Sequence, residues 1–203
     1  HIPSQTGAAP VQNIGAYGAE AKDIIDSVEM ISTESLTEVT LAADHCGFGY
    51  RDSVFKHALR KRVVITAVNF RLSKVSCPNL SYGALANEVE SLGGPTLSNI
   101  RRAVINIRQS KLPEPSELGN AGSFFKNPVV ESAVAEKLRA TYESMPEYPT
   151  QEPGMVKLSA GWLIERSGWK GRNPGRAGVY PKQKLILVNH GGAAAQERTG
   201  PAK

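Results

Sequence analysis

The chain reads as an α+β protein, and three observations lead there. Short β-type runs gather in the first third, at 27–32, 38–41 and 63–72. Helical patterns follow in blocks from residue 84 onward. Strands and helices never alternate regularly, as a parallel sheet with crossover helices requires. The 203 residues suffice for one large domain or two small ones. A seam marked by Pro113, Pro115 and Gly119 divides them into 1–112 and 113–203.

Residues 7–18 mix small residues with polar amides. No strand precedes them and their glycine spacing is not G-x-G-x-x-G, so this is not a Rossmann fingerprint. They read equally as a tight interior turn or as backbone thin enough for a flat or phosphorylated ligand to approach. The runs 27–32 and 38–41, around a polar turn at 33–35, predict a hairpin. In Gly47-Phe48-Gly49-Tyr50-Arg51-Asp52-Ser53, Arg51 either pairs with Asp52 on the surface or offers its guanidinium to a carboxylate ligand. Arg60-Lys61-Arg62 reads as a solvated basic turn. The run 63–72 alternates, with Val64, Thr66, Val68, Phe70 and Leu72 on one face.

Tyr82-Gly83 precedes a helix over 84–92, ended by Gly93-Gly94. Ser98 is the expected cap of a second helix with Ile100, Val104 and Ile107 on its inner face. Its last turn holds Arg108 and Lys111, where cations suit the helix dipole. Next comes Gly119-Asn120-Ala121-Gly122-Ser123-Phe124-Phe125-Lys126-Asn127-Pro128. Asn127-Pro128 signals a helix start, and Val130, Val134, Leu138 and Thr141 follow at helical spacing. Ser123 is then expected on a turn, between aromatic walls and a helix end that favours anions. A plain glycine-rich connection with a buried Phe pair is the competing reading. A link with Pro146, Pro149 and Pro153 leads to a helix over 157–167 carrying Leu158, Trp162 and Ile164. A basic flexible loop (Lys170, Arg172, Arg176) and a strand over 184–189 complete the pattern.

The net charge of +5 favours anionic partners, whether nucleic acid, nucleotide or diphosphate. Two cysteines without a paired framework read as reduced thiols of a cytosolic protein. The histidines show no metal-ligand spacing, and Asp44-His45-Cys46 reads as structural rather than as a metal site. No apolar run is long enough to span a bilayer, and no signal peptide is present. No heptad or broad apolar stripe is visible, so a monomer is expected. The start on His1 and the small-residue tail 191–203 look like cuts within a longer protein.

Four stretches then become recognisable together, in order: Ala9-Pro10-Val11-Gln12-Asn13-Ile14-Gly15-Ala16-Tyr17-Gly18, Phe48-Gly49-Tyr50-Arg51-Asp52-Ser53, the segment from Gly119 to Pro128, and Lys157-Leu158-Ser159-Ala160-Gly161-Trp162-Leu163-Ile164-Glu165. They resemble the UDP-N-acetylenolpyruvoylglucosamine reductases (MurB), flavoenzymes of bacterial peptidoglycan synthesis, over about residues 3–192. The resemblance implies the second part of a vanillyl-alcohol-oxidase-type FAD-binding domain, followed by a substrate-binding domain. It implies that NADPH reduces FAD and leaves, and that UDP-N-acetylglucosamine-enolpyruvate then takes its place. Hydride passes to the enol ether, giving UDP-N-acetylmuramate, and a serine protonates the enol.

Carried over by motif, Ser123 would be that acid, and Arg51 would stabilise the enolate and its carboxylate. Tyr82, Lys111, Asn127, Tyr148, Lys157 and Gln183 would hold the diphosphate and uridine. Gln12, Asn13, Ile14, Gly15 and Arg108 would lie along the flavin. A serine hydroxyl works as an acid only against a strongly basic intermediate with charge nearby, and a guanidinium matches a carboxylate in two-pronged geometry. Two family features lie beyond these motifs: a leading segment that wraps the FAD diphosphate, and a late glutamate. Glu197 is not taken for that glutamate. Asn173-Pro174-Gly175-Arg176 also departs from the smoother glycine-rich turn of the pattern.

Two other readings compete. One is a non-catalytic nucleotide-sugar-binding module. The other is a small basic nucleic-acid binder, which lacks a Lys/Arg stripe interleaved with exposed aromatics. The expectation is therefore a cytoplasmic flavoenzyme that binds small molecules, with neither nucleic acid nor membrane as partner.

Overall fold

Alternating burial along Ile25–Ser32 makes this run, β3, the central strand of the first sheet in the computed structural model, which describes residues 5–150 and 152–193. The remaining residues, Glu197 among them, lie outside the described part. Two compact units divide the chain, His1–Ile107 and Arg108–Lys203.

In the first unit a small hairpin comes first, β1 (Gly15–Ala16) and β2 (Ala19–Glu20). Its two loop residues, Tyr17 and Gly18, have φ of 55° and 77°. Paired positive φ values mark the turn type whose twist suits a two-residue hairpin. The hairpin expected from 27–32 and 38–41 is present, as β3 and β4 (Glu38–Ala42). With β5 (Val63–Phe70) they form an antiparallel sheet of order β4-β3-β5. Val28 faces Leu41 and Val68, and Met30 faces Val39 and Ile65. Val28 and Met30 are almost wholly buried with Ile25, Cys46 and Phe55. Burying each such side chain contributes about 1.5–3 kcal/mol.

Here β5 departs from its sequence pattern. The register slips between Glu29 and Met30, so β5 gives the core Val63, Ile65 and then Val68. Val64, Phe70 and Leu72, expected to share a face with Val68, are exposed. A bulge of this kind flips side chains to the other face, which a strict two-residue period cannot anticipate.

Helices α1 (Leu85–Ser91) and α2 (Leu97–Lys111) close a second core of Leu85, Val89, Ala103 and Ile107, with Ile100 and Val104 against it. Thr96, not Ser98, caps α2: its hydroxyl accepts from the Asn99 amide at 3.1 Å. The Asn99 carboxamide donates back to the carbonyls of Leu92 and Gly94, tying the two helices together.

The second unit holds two three-stranded antiparallel sheets. One has the order β10 (Ala177–Val179), β11 (Ile186–Asn189), β6 (Gly119–Ser123). The other has the order β7 (Val129–Glu131), β9 (Met155–Leu158), β8 (Glu147–Pro149). Helices α3 (Ser132–Thr141) and α4 (Ala160–Arg166) accompany the latter, around buried Ala135, Met145 and Leu158.

Two sequence expectations give way here. Asn127-Pro128 does not open a helix: 129–131 pair with β9, and the helix begins at Ser132. The helix expected over 157–167 begins at Ala160, with Lys157 in β9 between Val129 and Tyr148. In both places strand pairing outweighs local helix propensity. The Asn127 signal is still a capping signal, for a different helix. Its carboxamide oxygen accepts from the Ala160 amide at 3.0 Å, while Ser159 accepts from Trp162. Asn127→Ala is expected to lower the stability of the second unit by about 1 kcal/mol, read as a fall in Tm. An unchanged Tm would contradict the capping role.

Glu165 ties α4 to the chain that follows it, accepting from Lys170 at 2.8 Å and also from Lys184. Those two ammonium groups lower its carboxyl from the ordinary 4.5 to about 2. A lowered carboxylate stabilises the fold above the unfolded pKa, and that contribution fades as pH falls from about 4.5 toward 2. Melting of Glu165→Gln and wild type should therefore differ at pH 6 and converge by pH 2. A gap that persisted at pH 2 would mean the pair is not the cause. Glu165 and Lys170 are exposed, so the gap is expected to be small.

Candidate functional site

Arg51 does not pair with Asp52. The Asp52 carboxylate instead takes hydrogen bonds from His57 Nε2, at 2.8 and 2.9 Å. That bond, chiefly, holds the Asp52 carboxyl below the usual carboxylate range, against the opposing effect of burial. The Arg51 guanidinium turns toward the first hairpin. Its Nη1 donates to the Asn13 carbonyl at 3.3 Å, its Nη2 donates to the Gly15 carbonyl, and Glu20 lies 3.8 Å away. The Tyr50 ring sits 5.4 Å beneath it. Three of its five N–H donors make no hydrogen bond among the described residues. Arg51 itself has φ of 55°, a left-handed conformation that costs a non-glycine residue about 1–2 kcal/mol.

Arg51 and the 12–15 segment are thus neighbours within the first unit. Asn13 is fully buried and fully used there. Its amide donates to Glu20 and to the Gly49 carbonyl, and its oxygen accepts from Lys22 N, each at 2.9 Å. Its side chain therefore organises the fold, and its backbone is engaged as well, the N–H donating to the Pro10 carbonyl and the carbonyl accepting from Arg51. Gln12 is exposed and its side chain makes no hydrogen bond among the described residues, while Ile14 and Gly15 are half-buried. Tyr82, 58% exposed, packs edge-on against Tyr17 at 5.7 Å, and Asn79 donates to the Gly18 carbonyl. These contacts bring Tyr82 to the turn of the β1–β2 hairpin whose strand carries Gly15.

In the second unit Ser123 is the last residue of β6, paired with Ile186 at the start of β11. It is exposed, and its hydroxyl makes no hydrogen bond among the described residues. It lies on a strand end rather than on a turn before a helix, as its sequence context suggests. The ring walls are there: Phe124 meets Phe125 edge-on at 5.1 Å, and Phe124 is half exposed rather than buried. Gln183 opens the turn into β11, its carbonyl accepting from Ile186 N, and so sits at the same sheet end as Ser123. Tyr148 and Lys157 are cross-strand partners, with the Lys157 ammonium 5.9 Å from the Tyr148 ring centre. Asn127 reaches the same corner, since Pro128 accepts from Leu158 N. Arg108 and Lys111 lie in the last turn of α2, Lys111 exposed.

The structure therefore forms two local clusters, Arg51 with 12–15 and Tyr82, and Asn127 with Tyr148 and Lys157. Sequence reading missed Glu20 and Tyr17. Recognising Tyr17-Gly18 as a two-residue hairpin turn puts Glu20 opposite Gly15, which is the signal that finds it. Cys46 is buried, and burial with the nearby Asp44 charge raises its thiol pKa, which makes it a packing residue rather than a nucleophile. No metal-ligating cluster and no membrane-crossing helix occur among the described residues.

Comparison with known proteins gives a consistent picture. Residues 114–199 match the family described as UDP-N-acetylenolpyruvoylglucosamine reductase, C-terminal domain. The chain is 51% identical over 191 residues to the UDP-N-acetylenolpyruvoylglucosamine reductase of Cupriavidus pinatubonensis, covering 94% of this chain and 56% of that protein. It is 49% identical to that of Dechloromonas aromatica, covering 97% of this chain and 59% of the relative. The crystal structure of UDP-N-acetylenolpyruvylglucosamine reductase (MurB) from Thermus caldophilus aligns with a TM-score of 0.63 at 24% identity. That alignment covers 99% of this chain and 55% of the other, and it bears on the fold alone. The chain thus spans less than two thirds of the length of these relatives.

Proposed function

Because the chain belongs to the UDP-N-acetylenolpyruvoylglucosamine reductase (MurB) family, we propose that it supplies the substrate-handling part of an NADPH-dependent flavoenzyme. The reaction is reduction of the enolpyruvyl ether of UDP-N-acetylglucosamine-enolpyruvate to UDP-N-acetylmuramate, for peptidoglycan synthesis in the cytoplasm. The single observation that carries this reading is the Arg51 guanidinium, half-buried beside the 12–15 segment with donors to spare.

The residues present suit FAD. Gln12 offers an exposed carboxamide, Ile14 a half-buried apolar side chain, and Gly15 a thin backbone, a donor set that matches the edge of a flat amphipathic ring. Arg108 adds a cation toward an anionic group. When bound, FAD supplies the reducing electron pair, taken from NADPH. Arg51 pairs with the carboxylate of the enolpyruvyl group and draws off the charge that builds on it as the double bond is reduced. Ser123 gives its hydroxyl proton to the carbon left electron-rich by that reduction. Its exposure on a strand end leaves the proton accessible. Lys157 with Tyr148, and Asn127, Gln183, Lys111 and Tyr82, hold the diphosphate and uridine, the lysines as point charges and the tyrosines as flat walls.

The test is calorimetric titration of the chain with UDP-N-acetylglucosamine-enolpyruvate. Arg51→Lys keeps the charge and loses the fork, so binding should weaken by about tenfold or more. Equal affinity of wild type and variant would overturn the role of Arg51. Absence of nucleotide-sugar binding by the wild-type chain would overturn the functional reading.

A further inference from the structure

Arg51 is held in a conformation that arginine alone would not choose, and a second residue holds it there. The Gly49 and Asp52 backbones bond each other in both directions, at 3.0 and 3.3 Å, closing a turn with Tyr50 and Arg51 at its centre. Arg51 occupies the third position with positive φ, where glycine or asparagine is usual. Its carbonyl accepts from Lys56 Nζ at 2.7 Å. Lys56 is half-buried and has no carboxylate within ion-pair distance among the described residues. Its ammonium donates to this backbone oxygen, and its charge also acts at longer range on the Asp52 carboxylate of the same turn. Lys56 closes the 3-10 turn Val54–Lys56, which is itself fixed by a buried serine. Ser53 donates to the Val11 carbonyl at 2.7 Å and accepts from Phe55 N, anchoring this turn to the segment that carries Gln12 to Gly15.

We propose that Lys56 is a positioning residue for Arg51: its ammonium fixes the left-handed turn and so aims the guanidinium at the carbonyls of Asn13 and Gly15 and at the substrate carboxylate. The first half of this stands on the geometry; the second rests on the functional reading above. A charge-assisted bond to a carbonyl is stronger than a neutral one, and it acts here on the residue whose backbone is strained. The His57–Asp52 pair steadies the next residue of the same turn, so residues 52–57 form the support on which Arg51 is mounted.

The experiment follows the Arg51 guanidinium Nη–H signal, from the nitrogens that donate to the Asn13 and Gly15 carbonyls, by 15N NMR in the full 203-residue chain, with Arg51→Lys used to assign it. In wild type the signal should be displaced from that of free arginine and slow to exchange. Lys56→Met, which keeps the stem and removes the charge, should move it to the free position, and Lys56→Arg should restore it. Affinity is measured in parallel for UDP-N-acetylglucosamine-enolpyruvate and for UDP-N-acetylglucosamine, which lacks the carboxylate. Lys56→Met should weaken the first about tenfold and leave the second unchanged.

An unmoved Arg51 signal in Lys56→Met, or equal weakening of both nucleotides, would overturn the proposal; the latter marks a merely structural role. If wild type binds neither nucleotide, the functional reading falls, and the NMR comparison alone decides the positioning role. Should Lys56→Met not fold, Lys56→Gln is expected to give the same shift in smaller measure, and an unmoved signal there overturns the proposal equally.

Discussion

Ser123→Ala, in the chain supplied with FAD, is expected to stop formation of UDP-N-acetylmuramate while NADPH still bleaches the flavin. A positioned general acid contributes on the order of 10²–10⁴ in rate, and a methyl group has no proton to give. The fold should be indifferent to the change. Ser123 is exposed on the end of β6, its strand pairing with Ile186 runs through backbone, and exposed substitutions of this kind shift stability by about 0.5 kcal/mol or less. Stopped-flow absorbance separates the two half-reactions. Loss of flavin reduction in the variant would refute the assignment, as would product formation at the wild-type rate.

Gly15→Ala should show the largest effect on stability. A methyl group there would lie 2.7 Å from the Ala19 carbonyl oxygen, 2.9 Å from Glu20 Cγ and 3.0 Å from Arg51 Nη1. The nearest obstacle is backbone of the paired strand, which cannot swing aside as a side chain does. Forced overpacking costs about 1–3 kcal/mol. For a unit of this size the expected fall in Tm is on the order of 5–20 °C. Either the hairpin opens or the guanidinium moves, so affinity for the enolpyruvyl nucleotide should fall with stability. A melting curve within a degree of wild type would mean the hairpin does not grip Arg51 as described.

The parts of the fold legible in the sequence were those with long periodic signals. The β3–β4 hairpin and α2 each carry enough apolar repeats for their own pattern to decide, while the pattern of β5 places the strand but not its buried face. In the second unit the strand expected over 184–189 is present as β11, but β6 to β9 defeat such reading because they are three to five residues long and lack alternation. Pro128, Val129 and Val130 look like the first turn of a helix until β9 pairs with them. Asn127 carries a real capping signal, yet the amide it caps is 33 positions away at Ala160.

The candidate site divides in the same way. The proximity of Arg51 to 12–15 depends on a turn with positive φ at a residue that propensity would not place there. Asn13, a flavin-edge candidate by motif, spends its side chain inside the fold, which only the three-dimensional network reveals. Tyr148 and Lys157, nine residues apart, meet through strand register rather than helical spacing.

The proposed function requires the chain to take both a flavin and the enolpyruvyl nucleotide, and one absorbance experiment addresses that directly. The purified chain is mixed with FAD, freed of excess by gel filtration, and its spectrum recorded before and after NADPH, then after UDP-N-acetylglucosamine-enolpyruvate. The prediction is a retained flavin band that NADPH bleaches and the nucleotide restores. A colourless protein that still binds the nucleotide would point to a non-catalytic nucleotide-sugar-binding module, and one that binds neither would contradict the account outright.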